Sequence, residues 1–503
     1  MAAIPFGRMQ IKGLRKPVDW AVELLATLSK AMKAKRSKAL TQGQRIRPSR
    51  SMPIINSHAA GIDISPNGHA VCVPEDSVKA GESPVREFGA FTRQLDEMVE
   101  WLRSCGVQTV AMESTGKYWI APFERLEAAG FEVILVNAHD LKHVPGRKSD
   151  ILDCQWIQLL HSYGLLSGSF RPPEDIRRMR TLLRHRSNLV VECGQAVQHM
   201  QGALDEMNIH LHRVVSDLDG ETGFRILDAI LAGERDPDKL VELRDERIRK
   251  STVPQMKDAL RGFWQDEQLF VLRQARETYR WVQRQIEECD EQLQKVVQRV
   301  KSNPASIPPR PAPPNPEGQV RSKKKKAAGG HAPKPDFTAE LTRICGVDLT
   351  QVIGLNVLSV LMLISEIGVD MNRWRSAKAF ASWLGLCPGS KISGGKRLSS
   401  RTRPVANRVS ILLRSLAPTI GRTDTWMGQF HRRMKARLGP AGANTATGHK
   451  LATIIYHLLK YKEGYIDVDC LVYAAKFQRS RLVHLRKQAE ELGFHLVEAT
   501  QVT

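Results

Sequence analysis

From His58 the chain reads HAAGIDISPNGHAVCVP (58–74), and this stretch decides the fold of the front half. Ile62 and Ile64 flank Asp63, and Pro66-Asn67-Gly68 precedes a second apolar run, His69 to Pro74. Apolar alternation, a turn signature and a second run predict two strands joined by a tight turn. Downstream, FTRQLDEMVEWLRSCG (91–106) carries Leu95, Met98, Val99 and Leu102 at helical spacing. VQTVAME (107–113) and FEVILVN (131–137) read as buried strands, with a helix, IAPFERLEAAG (120–130), between them. DILDCQWIQLLHSYG (150–164) reads as a further helix with Ser149 as its N-cap. Strands alternating with helices predict an α/β domain over residues 55–175.

Upstream, residues 1–50 hold 12 Lys/Arg against Asp19 and Glu23. Residues 1–54 therefore read as a basic arm, with a short amphipathic helix from Asp19 to Met32. Downstream, residues 176–302 read as long helices. Leu182, Leu183, Leu189 and Val190 share a stripe, and ETYRWVQRQIEECDEQLQKVVQRV (277–300) has coiled-coil texture. This segment is either an elongated dimerising insert or an ordinary helical bundle. Residues 303–336 contain nine Pro and the run Lys323–Lys326, a linker composition. Residues 337–465 are again helical, with breaks at Gly346 and Gly354 and a Gly- and Ser-rich basic loop after Pro388. Residues 466–503 form a C-terminal extension.

A length of 503 residues implies several domains. The 75 Lys/Arg against 53 Asp/Glu give a net charge of +22, which favours a polyanionic partner through counterion release. The eight Cys show no C-x-x-C pair, so neither a zinc ribbon nor a disulfide scaffold is indicated, and a reducing cytoplasm fits. No apolar run approaches the roughly 20 residues of a membrane span, and the first residues lack the apolar core of an export signal. From Lys378 to Arg437 there are 13 Lys/Arg and one acidic residue, Asp424, a bias suited to phosphates.

Four carboxylates stand out. Asp63 lies inside an apolar strand, Glu113 ends another, and Asp150 and Asp153 share a helix face at i, i+3. Strand ends and helix starts at one edge of an α/β sheet tend to converge on a site. Carboxylates held together repel, and an oxygen-only set suits Mg²⁺, or Mn²⁺, for phosphoryl transfer. The competing reading is structural: Asp150 and Asp153 favouring a helix N-terminus, and Glu113 in a turn. The second candidate is Ser393, in Pro388-Gly389-Ser390-Lys391-Ile392-Ser393-Gly394-Gly395-Lys396-Arg397. Two glycines beside a serine allow close approach to a phosphate, and Lys391, Lys396 and Arg397 can neutralise it. A serine needs activation to be a nucleophile, so the bland reading is an ordinary Gly/Ser loop. Lys117, Arg147 and Lys148 near the carboxylates, and Arg401 and Arg403 near the serine, complete the candidate nucleic-acid contacts.

GIDIS, AMESTGKYW and KSDILDCQWI, in that order, resemble the Asp, Glu and Asp-x-x-Asp motifs of DEDD transposases of bacterial insertion sequences. FASWLGLCPGSKISGGKRLSSRTRPVANR resembles the serine-containing second domain of insertion-sequence family one-ten, including its eleven-eleven branch. The resemblance covers residues 55–175 and 337–465. It implies a ribonuclease-H-type, RuvC-like front domain with Asp63, Glu113, Asp150 and Asp153 as ligands of Mg²⁺. It also implies Ser393 as a nucleophile forming a transient phosphoserine link to DNA. By the same resemblance the enzyme is a homo-oligomer, dimer or tetramer, with active sites shared between subunits. A structured guide RNA would pair with the element ends and the target DNA. Gly389 follows Pro388 where many relatives place Arg, and Ser390, Ser399 and Ser400 compete with Ser393 for the role. Two other functions stand beside recombination: a metal-dependent nuclease or junction resolvase of the same fold, and a non-catalytic nucleic-acid binder.

Overall fold

The computed structural model describes residues 53–137, 141, 153–248, 250–301, 331–399, 401–403, 407–465 and 470–495. The chain divides into two units, Met1–Arg171 and Pro172–Thr503.

In the first unit, strands β1 (Ala59–Ile64) and β2 (Gly68–Cys72) form the antiparallel pair expected from the Asn67-Gly68 turn. Helix α1 (Thr92–Ser104), strand β4 (Thr109–Glu113), helix α2 (Ile120–Ala128) and strand β5 (Glu132–Val136) also fall where the apolar patterns put them. A third strand, β3 (Val85–Gly89), is an addition. It pairs with β2 at the sheet edge, and its charged, exposed Arg86 and Glu87 hide it from an apolar-pattern reading. The order is β3-β2-β1-β4-β5, with β1, β4 and β5 parallel. Both sheet faces are covered. Ala60, Ile62, Ile64, Val110 and Met112 pack with Leu95, Met98, Leu102, Phe123 and Leu126 of α1 and α2. On the other face Ala111 and Val136 pack with Trp156, Ile157 and Leu160 of helix α3 (Asp153–Ser162). Each buried Val, Leu, Ile, Met or Phe among them contributes roughly 1.5–3 kcal/mol. The chain leaves this unit at Arg171, whose guanidinium lies 3.9 Å from the Phe123 ring centroid and pairs with Glu127 at 2.7 Å.

The second unit opens on α4 (Glu174–Glu206), with Glu174 and Asp175 in the first turn where the helix dipole favours them. Four short helices follow: α5 (Leu211–Val214), α6 (Glu221–Leu231), α7 (Pro237–Glu242) and α8 (Val253–Ala259). Then α9 (Asp266–Arg299) packs along α4. Leu189, Cys193, Ala196 and Met200 of α4 share one core with Leu272, Tyr279, Val282 and Ile286 of α9. Arg186 and Asp290 form a buried ion pair across the two helices, and Arg186 also donates to the His331 carbonyl at 2.8 Å. A buried pair so bonded is costly to break from one side. Further helices follow: α10 (Thr338–Cys345), α11 (Val357–Ile367), α12 (Ala377–Trp383), α13 (Arg408–Gly421), α14 (Trp426–Tyr461) and α15 (Cys470–Glu491). Gly346, with φ 70°, caps α10, and α14 is broken at Gly439.

The stretch after Pro388, expected as a loop, is instead a hairpin of β6 (Lys391–Ser393) and β7 (Lys396–Ser399). Gly394 and Gly395 both have positive φ, 53° and 73°. Two such residues are what a tight two-residue hairpin turn demands, and glycine adopts them without strain.

Candidate active site

Three of the four expected carboxylates come to one edge of the sheet. In the β1–β4 register Gly61 faces Ala111 and Ile62 faces Met112. One step further along stand Asp63 and Glu113. Side chains alternate along a strand, so both point to the face that carries Ala111 and helix α3. Gly61 lets α3 come close: a Cβ there would lie 2.3 Å from the Gln158 nitrogen and 2.4 Å from the Cys154 carbonyl oxygen. Helix α3 begins at Asp153, over the end of β1 that bears Asp63. Further down, its Gln158 amide donates to the Ala59 carbonyl at 3.3 Å, and its His161 meets the Thr109 hydroxyl at 2.9 Å. The helix thus runs from the carboxyl ends of β1 and β4 back to their starts, with Asp153 at the carboxylate edge.

The surroundings tune this edge. The Thr115 hydroxyl donates to Glu113 Oε1 at 2.9 Å, and the Ser114 nitrogen donates to the Val136 carbonyl at 2.9 Å. Glu113, expected as a metal ligand or as a turn residue, is therefore oriented by the Thr115 hydroxyl. Burial, and then the negative charge of Asp63, push the Cys154 thiol up to about 12. Gly61 and Thr115 were not among the expected site residues. The signal for Gly61 was present, since a glycine inside a strand marks close backbone approach.

Asp150, Arg147 and Lys148 lie outside the described residues, as does Ser149, the expected N-cap. The donor chemistry of Asp63, Glu113 and Asp153 fits a hard divalent cation, being oxygen only. Among the described residues, no group of three or more His, Cys, Asp or Glu is gathered tightly enough to hold a metal ion. Asp63, Glu113 and the start of α3 at Asp153 lie at the same end of the sheet.

The serine candidate lies in the second unit. Ser393 pairs with Lys396 in register and closes the Gly394-Gly395 turn. Ser393, Gly394, Gly395 and Lys396 are all exposed. The hairpin base is held by the Gly389 nitrogen donating to the Arg401 carbonyl at 2.9 Å, and by a bridge between Pro388 and Thr402. Lys391 and Arg397 belong to β6 and β7, the strands that carry Ser393 and Lys396. Of the competitors, Ser390 sits before β6, Ser399 ends β7 and donates no described bond to a carboxylate, and Ser400 is outside the described residues. Lys117 is exposed in the turn after β4, and Arg401 and Arg403 are exposed beside the hairpin. Not every basic residue of the Lys378–Arg437 stretch is available to a phosphate. Arg432 donates to the Gly421 and Thr423 carbonyls, both at 2.9 Å, so part of that charge holds the turn between α13 and α14.

Two family matches bear on this arrangement. Residues 60–209 match a DEDD-type transposase family of the IS110 group, and residues 348–432 match the family described as Transposase IS116/IS110/IS902. The first spans all three placed carboxylates, and the second spans Ser393. No curated protein matches the chain. Among the described residues, no helix is long and apolar enough to cross a membrane.

Proposed function

We propose that this chain, whose two matched segments support an IS110-family transposase, cuts and rejoins DNA with a carboxylate set and a serine. The observation that carries the reading is the placing of Asp63 and Glu113 side by side at one sheet end, where α3, which begins at Asp153, closes over Gly61. Asp63, Glu113, Asp150 and Asp153 would hold Mg²⁺, or Mn²⁺, with substrate phosphates completing the shell. The ion would supply charge neutralisation at the reacting phosphate.

The chain's own residues do the rest. Thr115 orients Glu113, and the packing of α3 fixes Asp153 relative to Asp63. Ser393 Oγ would attack a backbone phosphorus, losing its proton, while the bond from that phosphorus to one sugar oxygen breaks and the sugar leaves as a hydroxyl. One phosphoester bond replaces another, so rejoining to a second strand needs no external energy source. Lys391, Lys396 and Arg397 on the hairpin would neutralise the phosphate during transfer. The partners in this reading are element-end DNA, target DNA and a structured guide RNA, acted on by a homo-oligomer. Lys117, Arg147, Lys148, Arg401 and Arg403 would contact backbone phosphates.

The test is a strand-joining assay on element-end and target DNA, with RNA from the flanking sequence co-expressed. Wild type, Asp63→Ala and Ser393→Ala are compared on denaturing gels, with and without protease treatment. The reading requires a protease-sensitive protein–DNA adduct in wild type that Ser393→Ala lacks. It also requires a loss of about 10²–10³-fold or more in strand cleavage for Asp63→Ala. If Ser393→Ala cuts as well as wild type while Asp63→Ala is dead, the protein is a metal nuclease or resolvase. DNA binding with no product in any variant would make it a non-catalytic binder.

A further inference from the structure

The C-terminal helix α15 lies beyond both matched segments and has a face the catalytic reading does not use. Its start is anchored: Tyr473 meets Trp426 of α14 edge-on at 5.4 Å between centroids and lies beneath the Arg433 guanidinium at 4.6 Å. From Gln478 onward the helix is exposed almost throughout. Gln478, Leu482, Leu485, Ala489 and Leu492 fall four and three residues apart, the spacing of a coiled-coil seam. Leu482 is 52% exposed and Leu492 75%, with Val483 and Phe494 at 64% and 69% beside them. A run of apolar side chains so exposed marks an interaction surface.

The flanks of this seam say what it accepts. Arg479 and Arg486 lie on one side, in the positions that border a coiled-coil partner, and Arg481 on the other, all exposed. A second copy pairing in parallel would set Arg481 of each chain against Arg486 of the other. Antiparallel pairing about Leu485 would bring the two Arg486 side chains together. Like charges at these positions oppose association. Phosphate groups would satisfy the arginines and leave the leucines in water. We infer that α15 is a docking strip for an amphipathic helix of another protein, with an apolar seam and Glu or Asp on its flanks.

The experiment uses the full chain and a fluorescent synthetic peptide of three heptads, Leu at the seam and Glu at the flanks. A scrambled peptide of the same composition and a Lys-flanked peptide serve as comparisons, all at about 0.15 M salt, where exposed charges more than about 8 Å apart are screened. The Glu-flanked peptide should bind at least about tenfold tighter than either comparison, a difference of about 1.4 kcal/mol. Leu482→Ser with Leu485→Ser should remove that preference. Arg479→Glu with Arg481→Glu and Arg486→Glu should transfer it to the Lys-flanked peptide. Unchanged circular dichroism in each variant would show that the exposed substitutions leave the fold intact. Equal binding of the scrambled peptide would overturn the inference, reducing the effect to net charge. Two other results would also overturn it. One is loss of duplex DNA binding in the Leu482→Ser, Leu485→Ser variant, which would give the strip to nucleic acid. The other is a doubled mass by light scattering that the same variant abolishes, which would give it to a second copy.

Discussion

The carboxylate edge and the serine hairpin are built in opposite ways. Asp63, Glu113 and Asp153 sit on two central strands and a helix that are packed on both faces of a sheet. Ser393 sits at the tip of a two-stranded hairpin whose turn residues are exposed. The first site is positioned by a core and the second by local turn geometry. Groups that must share an edge to within a fraction of an ångström need the packed scaffold. In the proposed reaction Ser393 would have to reach a phosphate, which a projecting tip favours.

This contrast can be broken most directly at Gly61. An alanine Cβ would press on the backbone of α3 at Gln158 and Cys154, which no side-chain rotation relieves. Gly61→Ala should destabilise the chain by about 3 kcal/mol, the upper range of overpacking, in denaturant unfolding. It should also cut strand cleavage by about 10²-fold by shifting Asp153 relative to Asp63. Unchanged stability would mean that α3 is not seated as described.

The hairpin should respond in the reverse sense. A Cβ at Gly394 meets no atom within 4 Å, so the cost of substitution there is backbone strain alone. Gly394→Val should disfavour the turn by about 1–2 kcal/mol while leaving the global unfolding midpoint unmoved. Adduct formation should fall, and Gly394→Asn, which tolerates positive φ, should retain most of it. A shift in the unfolding midpoint on Gly394→Val would show that the hairpin is part of a core after all.

The smallest effect concerns pH and again separates the regions. His161 is buried against Thr109 on the α3 face, and burial holds its imidazole below the ordinary histidine range. Burial lowers His69 in β2 as well. Both are favoured neutral in the folded chain, so the unfolded chain binds more protons near pH 6. Their stabilisation is complete above the unfolded pKa of about 6.5 and is lost as pH falls through the lower folded values. The thermal midpoint of the sheet, followed by hydrogen exchange of β1 and β4, should fall on acidification from pH 7. His161→Gln should flatten that slope. A slope unaffected by this change would assign the acid sensitivity elsewhere.

Legibility followed the physics of each element. Strands β1, β2, β4 and β5 could be read because their apolar residues alternate or run together between turn residues. Strand β3 could not, because Arg86 and Glu87 face solvent at a sheet edge. The hairpin around Ser393 was hidden by Gly, Ser and Lys, whose composition signals a loop. Its strands arise from pairing rather than from propensity. Gly61 and Thr115 gain their roles from what packs or bonds against them, α3 in one case and Glu113 in the other.

The amino-acid sequence by itself determined that the chain is basic, that an α/β front precedes a helical back, and which carboxylates and serine were candidates. Composition and period are local properties, carried by each segment wherever it ends up. The tertiary structure decided that Asp63 and Glu113 stand side by side, that Asp153 begins a helix above them, and that Ser393 projects from a hairpin. Among the described residues, it also decided that the seam of α15 is left uncovered. Register, close helix–strand approach and exposure depend on residues distant in sequence meeting in space, which no local pattern encodes.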